Sequence, residues 1–248
     1  MSKIFSKVIL LSIVVYTCIS CRSLVPVQLQ YAQESVNASA NLDSHLIALY
    51  MPYKVKLDSA MHIVLVESSV EMNKQQPECA LGNMLTDIMY SYAQQTGISP
   101  DLAISNYGGI RVGSLPAGVL TVEDAYKLMP FDNTLVVLPI KGDVLRQLID
   151  HAAESGGWPI SHASYHIFDG KAENILINGV PLSDEKTYKL VTNDYIAGGG
   201  DYCDMLKGIT PFTSEILIRD MIISNWQKVS AEGKKLNYTI EGRVSYVQ

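Results

Sequence analysis

Three short segments of the chain combine residue types that could hold a small planar ligand. The first is Asn106, Tyr107, Gly108, Gly109, Ile110, Arg111, directly after an apolar stretch at residues 102–105. Adjacent glycines let backbone amides approach a ligand and adopt positive φ, and the arginine that follows offers a planar fork to carboxylate or phosphate oxygens. The same pattern also serves as an ordinary turn. The second segment is Met129, Pro130, Phe131, Asp132, Asn133, where one of only four phenylalanines falls between a proline and the next apolar run. Exposed there, its ring could stack on a base; folded inward, it would belong to the core. The third runs from Thr192 and Asn193 through Asp194, Tyr195, Ile196 and Ala197 to Gly198, Gly199, Gly200, Asp201 and Tyr202. Three consecutive glycines suit an unusual backbone path, with Tyr195 and Asp201 placing an aromatic face and a hydrogen-bond acceptor around a pocket. A flexible hairpin is the other reading.

Hydrolytic chemistry is harder to find. Two-metal hydrolysis needs a cluster of His, Asp and Asn ligands holding its ions about 4 Å apart. The chain has five histidines. Asp43, Ser44, His45 mimics one metallophosphatase fragment, but no strand precedes it, so His45 is expected on a helix. His62, His151, His162 and His166 lack ligand spacing. No activated nucleophile is visible either. The expectation is therefore no catalytic residue, no metal site and no cofactor within this chain. Cys79 and Cys203 are expected as two buried free thiols, with a single bridge as the alternative.

The elements that must position these segments follow from composition and periodicity. Hydrophobic residues make up 48% of the chain and charged residues 18%, which suits a packed domain. The net charge of −6 leaves no basic stripe for a polynucleotide, so nucleic acid is excluded as a partner. Lys3 and Lys7 precede an apolar run at residues 8–18 that is too short to span a bilayer and reads as a signal peptide. The run ends in Ile19, Ser20, Cys21, which resembles the lipobox of bacterial lipoproteins, where the cysteine is acylated after cleavage; ordinary secretion is the alternative. The division is thus residues 1–21 as leader, 22–40 as polar tether and 41–248 as one domain in the cell envelope, periplasm-facing or at the outer membrane.

Within that domain a helix is expected at residues 42–49, ending before Pro52, then a strand at 62–67. The firmest helix covers residues 82–95 and stops at Gly97. Thr121 should cap a helix at 122–128, with Glu123 and Asp124 at its positive end and Pro130 beyond it. A strand at 134–140 and a helix at 141–154 follow. Stretches at 164–168, 173–177 and 188–192, separated by Asp169, Gly170 and by Asn178, Gly179, read as antiparallel hairpins. A helix at 214–229 and a strand at 238–246 close the domain. No internal repeat is apparent, and the class is α+β, a mixed sheet with flanking helices.

The order of these segments, together with Pro77, Glu78, Cys79, Ala80, Leu81, Gly82, Asn83 at the firm helix, resembles the C-terminal domain of the 5′-nucleotidase family from about residue 41 onward. In that family this domain sandwiches the nucleoside base between two aromatic rings, while a separate domain with two metals attacks the phosphate. The resemblance implies that Phe131 and Tyr195 form the sandwich, Asn106 bonds the base, Asp201 accepts from the ribose hydroxyls and Arg111 steadies the phosphate side, with Gly108, Gly109 and Gly199 completing the site. Taken with the lack of metal ligands in the sequence, the resemblance favours a role in nucleotide catabolism as the recognition subunit of a split 5′-nucleotidase, with the divalent metal pair on a separate metallophosphatase chain. The alternative is a lipid-anchored module that binds nucleosides or nucleotides for uptake or sensing. One departure bears on phosphate: the family often places an arginine where this chain has Pro77.

Overall fold

A computed structural model describes residues 43–247. The leader, Cys21, the tether and the first two residues of the expected domain lie outside the described residues. The chain divides into two units, residues 1–49 and 50–248; of the first only residues 43–49 are described, and apart from them the fold below is that of the second.

The first helix, α1 (Ser44–Met61), contains His45 and runs on through Pro52 instead of stopping before it. Proline removes one helical hydrogen bond, but Lys54, Lys56, Leu57, Ala60 and Met61 beyond it are strong helix formers. Lys54 also pairs with Asp58 one turn later at 2.6 Å. The expected strand accordingly begins two residues late, as β1 (Val64–Ser68), with His62 in the turn before it. After β2 (Met72–Asn73) comes α2 (Ala80–Gln95), whose first turn is capped by the Cys79 sulfur accepting from the Gly82 N–H. Cys79 and Cys203 are both free and buried.

The chain continues through β3 (Leu102–Ile104), β4 (Ser114–Leu115), β5 (Gly118–Thr121) and α3 (Val122–Leu128). The start of α3 is as expected: the Asp124 carboxylate accepts from both the N–H and the hydroxyl of Thr121 at 2.7 and 2.9 Å, an acidic group at the positive helix end. Next are β6 (Thr134–Lys141), α4 (Gly142–Glu154), β7 (Ile160–Ser161), β8 (Ala163–Phe168), β9 (Lys171–Ile177) and β10 (Val180–Pro181). The chain ends with β11 (Thr187–Asn193), the short α5 (Asp194–Ala197), β12 (Phe212–Leu217), α6 (Ile218–Ala231) and β13 (Val244–Tyr246).

Two larger sheets organise these elements, a five-stranded one in the order β12-β6-β11-β3-β7 and a four-stranded one in the order β10-β9-β8-β13. Three expectations are corrected here. The Asn178, Gly179 turn joins β9 to the two-residue β10, and β11 leaves that hairpin to lie between β6 and β3. Burial of four consecutive residues, Leu190 to Asn193, fits a central position covered on both faces better than a hairpin edge. Residues 214–217, expected as the start of the last helix, belong instead to β12, which pairs with β6 (Phe212 opposite Val137, Leu217 opposite Thr134). Tertiary pairing outweighs helical periodicity there. The closing strand shrinks to β13, pairing parallel with β8. α2 and α6 pack in one buried cluster with Trp226 at 0% exposure, and α4 anchors a second with the β8–β9 hairpin.

The register has a consequence for the three sequence segments. β3 and β11 are parallel neighbours, with Leu102 opposite Leu190, so the loops leaving their C-terminal ends emerge on the same side. β6 is antiparallel to β11, with Leu135 opposite Asn193, which brings the loop entering β6 to that side as well.

One contact tests the placement of α4. A Cβ on Gly142 would lie 2.0 Å from the Ser183 carbonyl oxygen. Gly142→Ala should therefore destabilise the fold by about 1–3 kcal/mol, seen as a lower midpoint in urea unfolding; an unchanged midpoint would contradict this packing.

Candidate functional site

The loop after β3, the loop before β6 and the loop after β11 meet around a cleft of about 290 Å³, near the small end of small-molecule sites. It is lined by Asn106, Gly108, Gly109, Arg111, Phe131, Asn133, Tyr195 and Asp201. Seven of the eight residues singled out in the sequence are thus brought together across almost a hundred positions of chain. Gly199 does not line the cleft. It sits at φ 90°, a region that favours glycine, and it turns the backbone so that Asp201 returns toward Tyr195.

The two rings answer the question left open by the sequence, because Phe131 is 44% and Tyr195 47% exposed. Neither is sealed in the core. The Arg111 guanidinium stands 5.5 Å from the centre of the Phe131 ring, a cation–π distance. Tyr195 covers Gly200 so closely that a Cβ there would lie 2.5 Å from its ring.

A chain of hydrogen bonds ties the first and third loops together. Asn193, fully buried, accepts from the Ile196 N–H at 2.8 Å, capping α5, and donates to Asn106 Oδ1 at 3.2 Å. Asn106 donates in turn to Asp201 Oδ2 at 2.7 Å. The Tyr195 hydroxyl donates to Asp201 Oδ1 at 2.8 Å and accepts from the Asp201 N–H at 3.2 Å. The hydrogen bond to the Asp201 carboxylate holds the proton on Tyr195 and raises its pKa, so the phenol stays neutral across the physiological range. His151 Nε2 lies 2.7 Å from the Asp201 carbonyl oxygen; since that oxygen can only accept, this nitrogen carries the proton.

Lys74 supports the glycine turn from outside the cleft. Its ammonium donates to the Ile110 carbonyl at 2.7 Å and lies 4.1 Å from the Tyr107 ring centre. Burial, with the charge of Arg111 adding to it, lowers its pKa. Arg111 is the one cation among the lining residues, and Pro77 is not among them. The cleft can therefore offer two aromatic faces, an amide pair, a carboxylate and one guanidinium. Among the described residues no group of three or more His, Cys, Asp or Glu side chains is disposed to hold a metal ion.

A family model for the 5′-nucleotidase C-terminal domain matches residues 60–208. The chain belongs to this family. It is 28% identical over 166 residues to the protein UshA of Escherichia coli, covering 64% of this chain and 30% of that protein. It is 29% identical over 196 residues to a snake venom 5′-nucleotidase of Gloydius brevicauda, covering 68% of this chain and 33% of that protein. Among solved structures, a 5′-nucleotidase precursor from Thermus thermophilus superposes with a TM-score of 0.70 at 27% identity, over 82% of this chain and 42% of that one. The chain thus spans less than half the length of each of these relatives. Their alignment with the fold described above makes it a 5′-nucleotidase C-terminal domain in architecture: mixed sheets with flanking helices.

Asn133, Asn193, Lys74 and His151 were not singled out as site residues. Asn133 adjoins Phe131 in the same segment and Asn193 opens the third, so proximity to the motifs was the available signal. Lys74 and His151 carried none, since both act on backbone carbonyls from distant elements. The close approach at Gly200 yields a test. Gly200→Ala should push the Tyr195 ring aside and break its bonds to Asp201, seen as a change in the tyrosine near-ultraviolet dichroism; an unaltered spectrum would contradict the geometry.

Proposed function

We propose that this chain recognises a nucleoside or nucleotide as one half of a split 5′-nucleotidase, whose metal-bearing phosphatase half is a separate polypeptide. The observation that carries this reading is the convergence of Asn106, Phe131, Tyr195 and Asp201 on one cleft, in a domain that covers less than half the length of relatives named 5′-nucleotidases. In this reading Phe131 and Tyr195 clasp the base, Asn106 and Asn133 face its polar edge, Asp201 accepts from the ribose hydroxyls and Arg111 meets the phosphate. The two ions that would activate water belong to the partner, and nothing in the cleft substitutes for them. Acylation of Cys21 would hold the pair in the bacterial cell envelope.

A second reading is a lipid-anchored capture module without a hydrolytic partner. What favours it is the single cation at the cleft, which suits a neutral nucleoside better than a tightly held phosphate.

Phosphate release from AMP with divalent metal separates these readings. The full chain alone should release none, a candidate metallophosphatase lacking its own nucleoside domain little, and the mixture substantially more. Turnover by this chain alone would overturn the division of labour, and adenosine binding with no gain in the mixture would favour the capture module. Base stacking contributes about 1–3 kcal/mol per ring, so Phe131→Ala and Tyr195→Ala should each weaken adenosine binding by roughly 5- to 150-fold in calorimetric titration. Unchanged affinity in both would remove the sandwich.

A further inference from the structure

The loop that presents Phe131 rests on a buried cation at the start of α6. Arg219 is 7% exposed. Its Nη1 donates to the carbonyl oxygens of Pro130 and Phe131, each at 3.3 Å, and its Nη2 donates to the Asp132 carboxylate at 2.7 Å. The guanidinium lies 4.2 Å from the centre of the Tyr126 ring on α3. Beside it, the Ile218 N–H donates to the Asn133 carbonyl at 2.9 Å. Consecutive residues of the loop thus turn their acceptors inward onto one planar fork, while the Phe131 ring is turned out to line the cleft.

The position of Arg219 is poor for any role in stabilising its own helix. A cation in the first turn has the wrong sign for the helix dipole, and burying it carries a desolvation cost. Its Nε is buried without a hydrogen-bond partner, an unmet donor of the kind that calls for an explanation. The explanation is geometric: three acceptors at fixed spacing need a rigid fork, which lysine's point charge cannot replace.

We propose that Arg219 is a positioning residue for base recognition, holding the 130–132 loop so that the Phe131 ring stands at stacking distance from the ligand. The inference rests on the nucleoside reading for its ligand, but the ring position can be read without one. The test uses the full chain labelled with 4-fluorophenylalanine, the Phe131 resonance being assigned through Phe131→Leu, and compares wild type with Arg219→Met, Arg219→Lys and Asp132→Ala. Titrations with adenosine and with ribose 5-phosphate accompany the fluorine spectra.

In Arg219→Met, adenosine affinity should fall about tenfold while ribose 5-phosphate affinity holds, and the Phe131 resonance should move toward its solvent-averaged position. Arg219→Lys should fall between Met and wild type, which keeps the test usable if the Met variant does not fold. Asp132→Ala, which spares the two carbonyl bonds, should lose less than Arg219→Met. Equal losses for both ligands, or an unmoved Phe131 resonance with adenosine affinity intact, would overturn the positioning role. If wild type binds no adenosine, the nucleoside reading fails by itself, and the resonance alone decides Arg219: a shift supports the role and an unmoved line overturns it.

Discussion

The carboxylate of Asp201 is the point on which the cleft depends, because it is shared between two loops that are almost a hundred residues apart. Asn106 binds one oxygen and Tyr195 the other. Asp201 holds φ at 48°, a left-handed conformation that costs on the order of 1–3 kcal/mol where nothing opposes it. Its N–H, its carbonyl and both carboxylate oxygens are each engaged, and those bonds offset the strain. The arrangement holds an aromatic face and an anionic acceptor in a fixed relation to each other. Were the cleft to bind a nucleoside as proposed, preorganisation of this kind would lower the ordering cost of binding.

That bridge is possible only because of the sheet. Parallel pairing of β3 with β11 puts Asn106 and Asp201 at one end, and antiparallel pairing of β6 with β11 adds Phe131. Buried Asn193 closes the arrangement by capping α5 with its oxygen while its amide reaches Asn106. Loss of either strand register would separate the loops, since a shift of one residue reverses every side chain on β11.

How much of this could be read in the sequence follows from the range of the forces involved. Local signals were legible: the Thr121 and Asp124 cap, the helix at Ala80–Gln95 and the glycine-rich turns were all set by neighbours a few residues away. The residues of the cleft were legible only in combination: the glycine pair alone also reads as a turn, Phe131 as a core ring and the glycine triplet as a hairpin, and it is the family resemblance of the segments together that singles them out. Long-range pairing was not. β12 carries helical periodicity and becomes a strand because β6 offers it a ladder, and β11 looked like a hairpin member until its partners were known. Gly199 was placed in the site by its motif, whereas its left-handed φ gives it a backbone role. Arg219 and His151 were silent because each serves carbonyl groups, which every residue has and no pattern marks.

Among the described residues no cluster of His, Cys, Asp or Glu is disposed to hold a metal ion, and the reading proposed above assigns the activation of water to a second polypeptide. The position of a bound base decides most directly whether the two rings act together. A crystal structure of the chain soaked with adenosine should place the purine between the Phe131 and Tyr195 rings, about 3.5–4 Å from each, van der Waals contact, with the ribose hydroxyls toward Asp201. Adenosine density anywhere else, or rings found turned away from the ligand, would contradict it.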